Sequence, residues 1–168
     1  MFLLAGDGIS VWVLGVLVTI KALGNETGGS YSLFEEVIYP GQGLPRHVHT
    51  MEDETWYMLE GELMWDLGGR EFHGKKGSFI HLPRFVPHSF KNKSKKPARM
   101  VLMFAPGGVE QWYLDVGEKA SDLKAMPPRV THEGFSQALC RGKEYGIMFI
   151  DHREDEEFSN GSVQAGYS

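Results

Sequence analysis

The chain has 168 residues, enough for one domain with a sizeable core, and its 42% hydrophobic and 23% charged composition excludes a disordered chain. A net charge of -5 excludes the basic surface that nucleic-acid binding needs, and a single cysteine, Cys140, excludes an intrachain disulfide. The 21 glycines and 8 prolines imply many turns, as all-β folds require.

The first apolar stretch, "ISVWVLGVLVTI" (9–20), is too short for a membrane span. It lacks a basic flank, and Asp7 interrupts the apolar run, so it reads as one or two buried strands with a break near Gly15 rather than a leader. A cytoplasmic location with no membrane partner is therefore expected. Strand-like runs then recur at 31–39, 45–49, 54–59, 62–67, 70–73, 78–82, 86–91 and 98–105, after 9–14 and 16–23, most of them separated by Gly or Pro. "DLGGRE" (66–71) reads as a hairpin with Gly68 and Gly69 at its tip, and "KNKSKKPAR" (91–99) as a solvated hairpin loop. After Pro106 a strand exit and loop are expected, followed by one short helix near 132–143, capped by Thr131 and ended by Gly146. The acidic segment 151–168 reads as a mobile tail, leaving one domain over 1–150. So many short strands at close spacing indicate an all-β sandwich or barrel.

Chemistry concentrates in "GLPRHVHTMEDETWYMLEGE" (43–62). On a strand, residues i and i+2 share a face, so His47 and His49 project side by side. Two readings stand: a solvent-facing pair on an edge strand, or two ligands converging on one ion. The segment "GSFIHLPRFVPHSFKN" (77–92) adds His88 at the start of another strand. His47, His49, Glu54 and His88 then make a three-histidine, one-carboxylate set from three strands.

These residues carry a resemblance to the cupin superfamily. Gly41, His47, His49, Glu54 and Gly61 fill the fixed positions of its first motif, and Gly77, Pro83, His88 and Asn92 match its second, with Phe85 where that pattern has glycine. A weaker likeness, through "ETGGSYSLFEEVIYPG", "PARMVLMFAPGG" and "EYGIMFID", runs to quercetin-dioxygenase-like cupins. The resemblance implies a cupin-type jelly-roll β-barrel with the metal inside, and a homodimer built by exchange of N-terminal strands, a role the 9–20 segment fits; the alternative is an ordinary edge strand of one subunit.

Neutral imidazoles with one carboxylate suit a divalent first-row ion, Fe, Mn, Ni, Co or Zn, rather than Ca or Mg. Strand alternation from Glu54 places Trp56 and Met58 on the pocket wall; Ile80 and Leu82 join them, and His88 places Phe90 inward. The same alternation turns His81 and Arg46 outward, while Glu52 is expected on the turn. His73, His132 and His152 are expected to be solvated, in loop, helix start and tail respectively. Tyr57 and Cys140 are expected to pack rather than catalyse, and the role of Glu36 is undecided. Three functions follow: a dioxygenase-type oxidoreductase acting on a small, oxygen-bearing, cyclic or aromatic substrate, with Glu54 as catalytic base; a non-redox isomerase, cyclase, lyase or hydrolase using the ion as Lewis acid; or a non-enzymatic binding module.

Overall fold

The computed structural model describes residues 2–150; the expected tail, with His152, lies outside the described residues. Each strand expected between 9 and 105 forms: β1 (Ile9–Val13), β2 (Val16–Ala22), β3 (Ser32–Ile38), β4 (Gly43–His49), β5 (Asp53–Glu60), β6 (Glu62–Leu67), β7 (Arg70–Lys75), β8 (Phe79–Leu82), β9 (His88–Lys91) and β10 (Ala98–Ala105). Helix α1 (Glu110–Val116), β11 (Glu118–Lys119), helix α2 (His132–Gly142) and β12 (Ile147–Phe149) follow.

The strands build two antiparallel sheets. The larger runs β11-β1-β2-β3-β10-β5-β8 and the smaller β12-β4-β9-β6-β7. Period-two burial explains why they face each other: along β3 and β10 every second residue is buried. The core between the sheets takes Phe34, Trp56, Met58, Met100, Leu102 and Phe104 from the larger sheet, and Leu63, Trp65 and Phe90 from the smaller. Burying each such side chain contributes about 1.5–3 kcal/mol. The result is the expected all-β jelly-roll form of the barrel, made of two separate hydrogen-bonded sheets.

The turns follow the glycines. Leu67 pairs with Arg70 across Gly68 and Gly69, as expected. Gly61, with φ 75°, sits where an added Cβ would lie 2.8 Å from the Ala98 Cα, so only glycine fits between β5 and β6. Asn92 locks the basic loop: its Nδ2 donates to the carbonyls of Ile38 and Lys96, both at 2.8 Å, and its Oδ1 accepts from the Ser94 N–H and hydroxyl.

Several expectations are corrected. Residues 110–116, expected as loop, are helix α1; the Glu110 carboxylate accepts from the backbone N–H groups of Gly24 and Gly108, both at 2.7 Å. The late helix is capped by Thr131, whose Oγ1 accepts from Gly134 N at 3.1 Å, but it ends at Gly142, and a 3-10 turn carries the chain to Gly146. Strand β1 pairs on both sides within the chain, with β2 and β11, and is not an edge strand. Among the described residues no helix is long and apolar enough to cross a membrane.

Candidate metal centre

Strand β4 carries His47 and His49 on one face, and a register shift between Leu44 and His47 sets His47 directly opposite His88 of β9. Glu54 comes from the other sheet, at the start of β5, paired with Phe104 and Leu82. The site therefore lies between the sheets, and all four residues are buried. One ligand atom from each falls within 4.8 Å of all the others. Ligands about 2.1 Å from one ion stand about 3 Å apart when adjacent and about 4 Å apart when opposite, so the spacing suits a single ion.

Hydrogen bonding fixes which atoms face inward. His47 Nδ1 lies 2.8 Å from the Pro45 carbonyl and His88 Nδ1 2.9 Å from the Val86 carbonyl. A carbonyl only accepts, so each Nδ1 carries a proton, and Nε2 is the ring atom that faces the cluster. His88 Nε2 then meets Glu54 Oε2 at 2.9 Å, and neither atom has another hydrogen-bond partner among the described residues. A nitrogen lone pair and a carboxylate oxygen at that distance need a shared cation, either a proton or a metal ion held by both. Burial first, then the charges of His88 and His49, holds His47 well below the usual imidazole range and keeps it a neutral ligand. The donor set thus fits a divalent first-row ion.

Behind His49 stands Glu52. It lies on the turn, as expected, but it is buried, and its Oε2 sits 3.6 Å from His49 Nδ1. Around the cluster, Phe149 packs on His47 at 5.4 Å and Phe104 on His49 at 4.9 Å between ring centroids. Trp56 lies 5.4 Å from His88, 4.1 Å from Trp65 and 6.1 Å from Phe90. Of the expected wall, Trp56, Met58, Leu82 and Phe90 are buried and Ile80 is half-buried against the same core. Sequence reasoning missed Trp65, Phe104, Tyr113 and Phe149. Tyr113 of α1 is buried; burial first, then the charges of Glu36, Glu54 and Glu52, drives its phenol well above the usual range. A cavity of about 310 Å³ lies away from the four residues, between Leu14, Gln42, Leu44, Val130 and Phe135, and shares only Phe90 with the expected pocket.

Other expected positions sort as follows. His81 points outward and meets Thr55 Oγ1 at 3.2 Å, and Arg46 pairs with Asp66. His73 lies on β7 rather than in a loop, 3.0 Å from Glu62. Tyr57 and Cys140 do not pack in the core; both are exposed. Phe85 keeps the turn that the motif's glycine would make: its φ is 65°, and its N–H donates to the His49 carbonyl at 2.8 Å.

Comparison with known proteins agrees with this architecture. The Cupin domain model of the Cupin_2 family matches residues 34–114, a span that holds all four clustered residues. Residues 34–114 of this chain thus form a cupin domain. It is 28% identical over 141 residues to quercetin 2,3-dioxygenase of Bacillus subtilis (strain 168), covering 80% of this chain and 40% of that protein. It is 31% identical over 95 residues to polyketide synthase CurC of Streptomyces cyaneus, covering 54% of this chain and 62% of that one. The chain thus spans less than two thirds of either relative. Among solved structures, a predicted oxalate decarboxylase from Thermotoga maritima superposes with a TM-score of 0.60 at 16% identity, over 63% of this chain and 99% of that one, which shows the shared fold.

Proposed function

We propose that this chain is a metal-dependent oxidoreductase of dioxygenase type, acting on a small, oxygen-bearing, cyclic or aromatic substrate. The observation that carries the reading is the confrontation of His88 Nε2 with Glu54 Oε2 at 2.9 Å inside a buried set of three imidazoles and one carboxylate. His47, His49, Glu54 and His88 would hold one divalent first-row ion, leaving two positions of an octahedron for small-molecule ligands. When bound, the ion would supply electronic coupling between an electron-rich substrate and dioxygen, with dioxygen as the oxidant and both its atoms in the products. Glu54 would take the proton of a substrate hydroxyl. Trp56 and Phe90, with Trp65, would stack on a planar substrate, while Met58, Ile80 and Leu82 would keep water out. Likeness to a quercetin dioxygenase supports the same class. A homodimer and a cytoplasmic location complete the proposal; a lone cysteine, with no intrachain disulfide to form, suits a reducing compartment.

Metal-reconstituted protein is to be assayed with quercetin and a panel of hydroxylated polycyclic ketones, with and without dioxygen. Turnover should stop without dioxygen. Undiminished anaerobic turnover would hand the site to a second reading, in which the ion is a Lewis acid and Glu54 or Glu36 moves protons. Likeness to a polyketide synthase protein favours that alternative.

A further inference from the structure

Among the described residues, Glu36 is the one buried carboxylate of the barrel interior that neither the candidate metal centre nor a helix end uses. It lies on the inner face of β3, between Phe34 and Ile38 along the strand, opposite Val18 of β2 and Met100 of β10. Those four neighbours are buried and apolar, and Glu36 itself is 1% exposed. Its Oε2 has no hydrogen-bond partner among the described residues. Ser32 and Phe104 lie level with Glu54, so the Glu36 row, Val18–Glu36–Met100–Met58, stands two rows along the sheet from the metal cluster. Between the two levels lies the row Phe34–Leu102–Trp56, which includes Trp56 of the aromatic wall.

A carboxyl in such a place costs free energy unless something hydrogen-bonds to it, and a Leu or Met would pack there without that cost. A partner that the protein does not supply is expected from a ligand. We propose that Glu36 is a second substrate anchor, donating a hydrogen bond from its carboxyl O–H to an acceptor oxygen at the end of the substrate remote from the metal cluster. This inference rests on the proposed function and narrows its substrate class: a planar molecule with oxygen at both ends, one set to meet the cluster and one, a carbonyl or ether oxygen, to accept from Glu36. Burial first, then the negative charge of Glu54, raises the Glu36 carboxyl from 4.5 to about 8, so that it keeps its proton at neutral pH. A divalent cation on Glu54 offsets only the second of these causes.

The test uses metal-loaded protein under anaerobic conditions, with quercetin as probe and quenching of tryptophan fluorescence as readout. Wild type, Glu36→Gln and Glu36→Leu are compared, with metal content measured in each. Gln keeps a donor at the same reach and should bind within about threefold of wild type, whereas Leu should weaken binding about tenfold or more at unchanged metal content. Equal binding by Glu36→Leu overturns the anchor and leaves the metal chemistry standing. No binding by wild type overturns the substrate class of the proposed function, and the anchor with it. Infrared difference spectra of the ligand-free, metal-loaded protein give a second readout: the carbonyl stretch of a protonated carboxyl should be present in wild type and lost in both variants. Its absence from wild type at neutral pH overturns the donor role.

Discussion

Glu52 Oε2 faces Nδ1 of His49 at 3.6 Å, while Glu54 Oε2 stands 3.6 Å from Nε2 of the same ring. One imidazole thus lies between two buried carboxylates, one on the ligand side and one behind. At that distance no hydrogen bond joins Glu52 to the ring; a carboxylate that closes on a ligating histidine would orient it and strengthen its hold on the ion.

Glu52→Gln should therefore lower metal affinity about 10- to 100-fold without removing a ligand. Competition with a chromophoric chelator measures this. Affinity equal to wild type would show that Glu52 is only packed beside the ring.

Glu54→Gln separates holding the ion from moving the proton. The amide oxygen still coordinates weakly but accepts no proton, so turnover should fall more than metal occupancy does. Loss of both in proportion would reduce Glu54 to a ligand.

Phe85 occupies a left-handed conformation, φ 65°, and the residue is 54% exposed. Such strain costs a non-glycine residue about 1 kcal/mol, and the exposed ring recovers little of it. Phe85→Gly should raise Tm by about 3 °C for a domain of this size, read by thermal unfolding. A fall in Tm would mean that the ring packs more than its exposure indicates.

The buried Glu36 carboxyl gives stability a definite pH slope. Its folded-state value, about 8, lies above the unfolded value of 4.5, so the folded state keeps the proton over that interval while the unfolded state releases it. Its contribution is complete below about pH 4.5 and is lost as the pH rises toward 8. Metal-free wild type should therefore lose stability over this window relative to Glu36→Gln, which carries no such proton. Parallel curves in denaturant unfolding would contradict the burial of an unpaired acid.

The strands and the four clustered residues were legible because each depends on local rules. Two-residue alternation put His47 beside His49 and Trp56 beside Met58, and glycine pairs marked the turns. What was not legible depends on distant contacts. Helix α1 has only seven residues, too few for a periodic signal, and its first residue, Glu110, is held by Gly24, 86 positions earlier. Glu52 lies outside a strand, where alternation assigns no face, so its approach to His49 had no local signature. Tyr113 and Phe149 reach the barrel from a helix and a late strand whose placement no pattern in the chain specifies. The exposure of Tyr57 follows from parity with Trp56, which buries alternate residues and turns Tyr57 out.

The central claim is that His47, His49, Glu54 and His88 bind one ion together. Anomalous diffraction from crystals of metal-loaded protein, collected on both sides of the metal's absorption edge, tests it most directly. The account predicts a single strong peak between the two sheets, about 2.0–2.2 Å from one atom of each of the four side chains, and no such peak in His88→Ala. A peak elsewhere, or full occupancy retained in His88→Ala, would contradict it.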